Sequence, residues 1–397
     1  MSRPQVFPAL AAALLTAAAC GTGEPRSWRG SIDTLPSGTI VVSNPADGIW
    51  DEQSAWRIVE ELRIGTAEGS GPELFGSIGA LEVDRLGRIW VLEQQAQEIR
   101  VFDGQGRYVR TVGRKGGGPG EFRQVIGFAW GADGNLWVVD PSNNRISVVD
   151  TAGRFVTSHR TIGSWVIAPW PGGVDSTGNF YTYAPAGGSD PLALVLVRYN
   201  AAMEPQDTIR LPRESSDESY FEHRTDGGFI RAGVPYASRL QWRFRWPGYI
   251  WFGRTGEYRL YQRSLEGDTL RIVSREFEPL PVTDEDIDSA IARLEWFTKQ
   301  GGRIDRSKFP RTKPAWEDLY TDDRGYLWVV PVLPKARSGF GITAFDIFDP
   351  EGRYLGRVEL PFNLGPGPVI RGDFLYGEVW DELQVPYVVR ARIERPL

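Results

Sequence analysis

A tetrad of glycine, a variable residue, an apolar residue and an aromatic recurs along the chain. Its copies are Gly87-Arg88-Ile89-Trp90, Gly134-Asn135-Leu136-Trp137, Gly178-Asn179-Phe180-Tyr181, Gly248-Tyr249-Ile250-Trp251, Gly325-Tyr326-Leu327-Trp328 and a looser Gly372-Asp373-Phe374-Leu375. The copies lie among short apolar runs bounded by Gly, Pro, Asn and Asp, which read as paired strands joined by tight turns. A second landmark follows one strand and one turn later, in Asp103-Gly104-Gln105-Gly106, Asp150-Thr151-Ala152-Gly153 and Asp349-Pro350-Glu351-Gly352, with degenerate versions at Asn200 to Met203 and Ser264 to Gly267. Two landmarks in fixed order, at a period of roughly 40–50 residues with about four short strands each, are the signature of propeller blades.

The fullest copy runs from Gly113 to Asp150. Its segments GRKGGGPGEF, DGNLWVVD and SNNRISVVD, followed by TAGRF, resemble the NHL repeat, and the chain as a whole resembles the bacterial six-bladed β-propeller lipoproteins. The match is close from about Ile78 to Phe155, recognisable from Tyr320 to Leu360 and weak between. The resemblance implies an all-β fold of six four-stranded antiparallel blades. It implies much less about function, because propellers host lyases, lactonases, receptors and scaffolds alike. Composition agrees with the fold: 41% hydrophobic and 12% aromatic residues suffice for a large core, and 46 Gly with 28 Pro suit many short turns.

Met1 to Cys20 has one basic residue, Arg3, then the apolar run Ala9 to Ala19, then the only cysteine. Residues 1–19 read as an export signal, too short to span a bilayer permanently. Ala17-Ala18-Ala19-Cys20 is similar to a bacterial lipobox, whose cysteine takes a diacylglycerol; it departs from the pattern at Ala17, a position that is usually Leu. The expected product is lipid-anchored through Cys20 at the cell envelope, in the outer membrane or facing the periplasm. Residues 20–38 then serve as a polar tether and 39–397 as the propeller. A single cysteine cannot form an internal disulfide, so stability must come from packing. The net charge of −6 argues against a nucleic-acid partner.

The last repeat supplies only three strands, near Val369 to Arg371, Phe374 to Trp380 and Val385 to Ile393, and would leave an open edge. An N-terminal strand, Trp56 to Ile64, with Thr39 to Ser43 as the second choice, is expected to complete it. Turns after the first and third strands of each blade are short. The long insertions follow the second and fourth strands: Gly113 to Arg123, Tyr183 to Leu192, Arg213 to Arg243, Glu278 to Trp316, and Pro331 to Gly341. They should share one face of the disc and supply a binding surface there. One short helix is expected in these insertions, capped by Thr283 with Asp286 and stopped by Gly301-Gly302.

No catalytic constellation emerges. His159 and His223 are the only histidines, too few for a three-histidine zinc site. No Gly-x-Ser-x-Gly elbow is present, and Gly113 to Gly120 lacks the Gly-Lys-Ser/Thr ending of a phosphate loop. Innermost strands offer Glu82, Glu317 and Asp318, with Arg243, Arg245 and Arg371 as counter-charges. The arginines oppose a dedicated cation site of the calcium-dependent lactonase kind. The expectation is a monomeric, non-enzymatic binding module without cofactor or metal, for a protein, peptide or carbohydrate. Trp165, Trp170, Trp242, Trp246 and Trp316 would form its aromatic rim, with His223, Arg224, Arg245, Glu317 and Arg371 as polar contacts. The alternative is a channel-centred hydrolase or lyase that uses a metal bound by carboxylates.

Overall fold

The computed structural model describes residues 27–160, 170, 172–185, 194–210, 220–225, 227–245, 248–334 and 341–396. They build a six-bladed β-propeller. The first blade is Ile78–Val83, Ile89–Glu93, Glu98–Phe102 and Tyr108–Val112, and the second Gly127–Trp130, Leu136–Asp140, Arg145–Val149 and Phe155–Arg160. The third is Gly173–Val174, Phe180–Pro185, Leu194–Tyr199 and Pro205–Arg210, and the fourth Leu240–Arg245, Tyr249–Arg254, Arg259–Ser264 and Thr269–Arg275. The fifth is Trp316–Thr321, Leu327–Pro331, Ile342–Phe348 and Tyr354–Leu364.

The sixth blade has Val369–Arg371, Phe374–Trp380 and Pro386–Glu394 from the C-terminal end, and Arg57–Ile64 as its outer strand, antiparallel to Pro386–Glu394. The expected closure by Trp56 to Ile64 is therefore the one the chain uses. Thr39 to Ser43 goes elsewhere. Ile40–Asn44 adds in parallel to the outer strand of the fourth blade, and Ser31–Thr34 adds antiparallel to Ile40–Asn44. Between these strands and the sixth blade, the Trp50 amide donates to the Leu355 carbonyl at 2.8 Å, so the segment also crosses the outside of the fifth blade.

The tetrads explain why these strands form and how they stack. Their glycines, Gly87, Gly134, Gly178, Gly248, Gly325 and Gly372, all have positive φ, where a Cβ would be strained. Each thus fixes the turn between the first and second strands of its blade. The following apolar and aromatic residues enter cores between neighbouring blades. Trp90 meets Leu136 between the first and second, Trp137 meets Phe180 between the second and third, and Tyr181 meets Ile250 between the third and fourth. Trp251 meets Leu327 between the fourth and fifth, Trp328 meets Leu375 between the fifth and sixth, and Ile89 meets Tyr376 where the ring closes. Burying such a side chain contributes roughly 1.5–3 kcal/mol, so the repeat supplies both the turn and the adhesive for its neighbour.

The insertion between the fourth and fifth blades holds two short helices where one was expected, α1 (Asp284–Arg293) and α2 (Glu295–Lys299). The Thr283 cap holds: its hydroxyl accepts from the Asp286 amide while the Asp286 carboxylate accepts from the Thr283 amide. A hairpin, Tyr220–Thr225 with Gly228–Gly233, comes from the preceding insertion and packs on these helices. Phe221, Ala232, Val234, Ala290, Phe297 and Phe309 form a core of their own there.

Candidate ligand-binding site

Among the described residues, the candidates on the insertion side do not converge. Trp316 is fully buried, with its indole nitrogen donating to the Glu257 carbonyl at 2.8 Å. Trp170 is also buried, stacked on Phe180 with ring centroids 5.1 Å apart, and donates to the Thr182 hydroxyl at 3.2 Å. These two tryptophans are core, because the apolar face of an indole is worth more between blades than at a wet rim. Trp242 is half-buried against Tyr183, at a centroid distance of 4.8 Å. His223 packs at the end of the helix pair, where a Cβ on Gly301 would stand 2.9 Å from its Nε2. Arg224 is exposed and reaches Glu222 at 3.6 Å. Cys20, Trp165, Trp246 and the Arg245 side chain lie outside the described residues. His159 is half-buried and stacks on Trp137 at 5.2 Å; that burial lowers its pKa.

Glu317 sits at a register shift in the first strand of the fifth blade, between Trp316 and Asp318. The Glu317 carboxyl is pushed up by desolvation and by neighbouring Asp318, with Arg239 acting against them. Asp318 is the residue that engages the channel arginine. It accepts from Arg243 and, at 2.8 Å, from the Tyr320 hydroxyl, while the Arg243 guanidinium lies 5.3 Å from the Tyr320 ring centroid. The Tyr183 hydroxyl, near Arg243, is buried without a partner.

The opposite mouth of the channel holds a cavity of about 800 Å³. Residues from all six innermost strands line it, among them Glu82, Trp130, Val174, Phe244, Thr321 and Arg371. Each is the last or next-to-last residue of its strand, so the turns that follow form the rim, and those are the short ones. Of the expected polar contacts, Arg371 is the one that faces this cavity.

Most rim charges are already committed. Asp84 accepts from the Leu86 and Arg88 amides, from Trp90 Nε1 at 3.1 Å and from Arg88 Nε at 2.5 Å. Asp322 accepts from the Arg324 and Tyr326 amides and from Trp328 Nε1, and Asp150 pairs with Arg154 at 2.7 Å. Asp133 holds Asn135, and Asp323 accepts from the Gly372 amide at 2.9 Å.

Glu82 and Arg371 differ from these. Arg371 Nη1 donates to the Val83 carbonyl at 2.6 Å, which leaves the rest of its guanidinium fork available. The Glu82 carboxyl is pushed up to about 7, chiefly by burial, with Arg371 pulling the other way. Glu82 retains some accessible surface because the cavity is hollow, yet the channel wall encloses it. Near neutral pH such a carboxyl can both donate and accept a proton in hydrogen bonds. Among the described residues, no three His, Cys, Asp or Glu side chains converge as a metal cluster would require.

Comparisons with known proteins agree with the fold. A family model described as a 6-bladed beta-propeller matches residues 68–162. No curated protein matches the chain in sequence. A protein of Bacteroides fragilis described as exported is similar in structure at a TM-score of 0.53 and 12% identity, covering 89% of this chain and 99% of its own. A member of the DUF4221 family from Bacteroides vulgatus is similar at a TM-score of 0.55 and 12% identity, covering 86% and 99%. Virginiamycin B lyase from Staphylococcus aureus also aligns, at 0.46 and 11% identity, covering 85% and 99%. At such identities the likeness is one of fold. Among the described residues, no helix is long and apolar enough to cross a membrane.

Proposed function

We propose that the chain is an exported, lipid-anchored propeller that binds a ligand at the cell envelope without transforming it, and that the ligand enters the short-turn mouth of the channel. The observation that carries this is the cavity itself. All six blades contribute to its wall, and Glu82 and Arg371 point ionisable groups into it that the turns have not used. A pocket of this size with a few convergent polar groups on an apolar wall is the usual form of a small-ligand site. Phe221, Phe297 and Phe309 of the insertions are spent on their own core, which favours a cap over a recognition surface, although Phe229 and Trp296 stay exposed.

A metal-dependent hydrolase in the channel has weaker support. The donor set is one carboxylate, Glu82, which already accepts from the Val83 amide, beside a guanidinium, and a hard divalent cation needs several oxygen ligands without a positive neighbour. Export and anchoring rest on residues 1–20, and palmitate labelling in a bacterial host tests them: Cys20→Ala should lose the label and the membrane association. The binding site is tested by thermal-shift screening of small polar molecules against the wild type, Glu82→Gln and Arg371→Met. Stabilising compounds should lose their effect in both variants. Compounds that act equally on all three proteins, or protection confined to the insertion side, would remove the proposal.

A further inference from the structure

We propose that the short-turn mouth takes a neutral oligosaccharide, with sugar hydroxyls shared between Glu82 and Arg371 and the apolar face of a ring against Trp130. This rests on the assignment of the cavity as a ligand site and deepens it.

Three observations select the class. The first is charge. With Asp84, Asp150 and Asp322 held by their own turns and by Arg88 and Arg154, the deep wall presents one acid and one base, Glu82 and Arg371. The lining as a whole, with Asp133 and Asp323 added and Arg85 beside Arg88, carries more carboxylates than guanidiniums, so the mouth offers no net attraction to a phosphate or a polyanion. Groups of opposite charge attract across such a gap, and a ligand that brings a donor and an acceptor side by side can join them. Adjacent hydroxyls on a sugar ring do this: one accepts from the guanidinium while its neighbour donates to the carboxylate.

The second observation is the division of the wall. Trp130, Val174, Phe244 and Ile370 are apolar and share the cavity with Glu82, Thr321 and Arg371. Trp130 is half-buried and held edge-to-face by Trp90 at 5.2 Å and 89°, which fixes the indole that lines the cavity. A preset aromatic plane meeting planar polar groups matches a ring with a polar edge and an apolar face. The third is size. A cavity of about 800 Å³ is much larger than a single amino acid or monosaccharide requires, and it opens outward, so a chain of several rings can enter end-on.

The test uses the folded protein without its export signal on an array of neutral and acidic glycans and of short unmodified peptides, followed by titration calorimetry with any ligand that is retained. The expected result is retention of one or more neutral oligosaccharides, no gain from sialylated or sulfated forms, and binding weakened tenfold or more by Trp130→Ala and by Arg371→Met. Trp130→Phe keeps the packing volume closer to native and should weaken binding less, which guards against a misfolded alanine variant; circular dichroism checks each protein. Peptides bound in place of glycans, and lost in Arg371→Met, would overturn the saccharide assignment and leave the cavity as a binding site. Binding of neither class, or glycan binding equal in wild type and variants, would overturn both.

Discussion

Asp346 offers the sharpest test of how the blades are held together. It is fully buried in the third strand of the fifth blade and accepts from four side chains. Arg275 Nη1 and the Tyr258 hydroxyl, both from the fourth blade, reach its Oδ2 at 2.9 Å and 2.8 Å. From its own blade, the Tyr354 hydroxyl and Arg357 Nε reach Oδ1 at 3.1 Å and 2.8 Å. The Arg275 guanidinium also lies 4.0 Å from the Tyr354 ring centroid, and its Nη2 donates to the Ala46 carbonyl at 2.7 Å. One carboxylate therefore ties the fourth blade, the fifth blade and the N-terminal segment.

Asp346→Ala leaves the Arg275 guanidinium, only 11% exposed, without its counter-ion. Removing one partner of a buried pair costs roughly 3–5 kcal/mol, because the stranded charge keeps its desolvation penalty. Arg357 is 35% exposed and can turn to water, so most of the loss belongs to Arg275 and the two tyrosines. With an unfolding entropy of about 2.1 cal/mol/K per residue, a chain of 397 residues loses roughly 1.2 °C per kcal/mol, so the midpoint should fall by about 4–6 °C. Thermal unfolding followed by circular dichroism reads this directly. Arg275→Met in the Asp346→Ala background should restore part of the loss, giving a coupling of roughly 1–3 kcal/mol. A fall under about 1 °C for Asp346→Ala, or strict additivity of the two changes, would refute the account of this cluster as the blade junction.

Three further outcomes follow from the same structure. A variant beginning at Gly65 lacks Arg57–Ile64 and bares the edge of Pro386–Glu394, so size-exclusion chromatography should find it aggregated or self-associated; a stable monomer with an unchanged midpoint would contradict closure by that strand. Phe297→Ala removes a fully buried ring from the cap and should cost about 3–5 kcal/mol locally, seen in hydrogen exchange as deprotection of residues 220–233 and 284–299 while the blades stay protected. The carboxyls of Glu82 and Glu378 are both raised by burial to about 7 from an ordinary 4.5, so the folded state holds their protons more tightly than the unfolded chain does. Stability should be greatest below about pH 4.5 as far as these two are concerned and decline as pH rises toward 7; Glu82→Gln should flatten the fall in thermal midpoint between pH 5 and pH 8. The lowered aspartates, such as Asp175 and Asp286, act below pH 4 and leave that window to the glutamates.

The repeat was legible because its constraints are local. A glycine at positive φ and an aromatic two strands from solvent leave their mark within four residues, and the ring closure followed from counting strands in the last repeat. Arg145, within the same repeat, reaches the carbonyls of Gly117 and Gly118 in the crossing between the first two blades. Two finer devices were present but unread. An aspartate six residues before the aromatic, as in Asp84 with Trp90, Asp175 with Tyr181 and Asp322 with Trp328, bonds it across the turn. An arginine four residues after the second-landmark aspartate closes the other turn, as in Asp103 with Arg107 and Asp349 with Arg353.

The cavity was harder to see because loop length points the wrong way. Long insertions suggest recognition, but length also brings apolar residues that must be buried, and here Phe221, Phe297 and Phe309 bury one another. Tryptophans near such loops are drawn into the same economy, as Trp170 and Trp316 show. On the opposite side the turns are too short to cover the channel, and their carboxylates are consumed by their own amides, so the mouth stays open with Glu82 and Arg371 exposed to whatever enters. The inner-strand residue paired with the apolar residue of each tetrad reads Val83, Trp130, Val174, Phe244, Thr321 and Arg371 across the six repeats, with Glu82 one residue earlier in the first. In an otherwise repetitive ring, the position at which the repeats stop resembling one another is where the six-fold scaffold has been made into an asymmetric site.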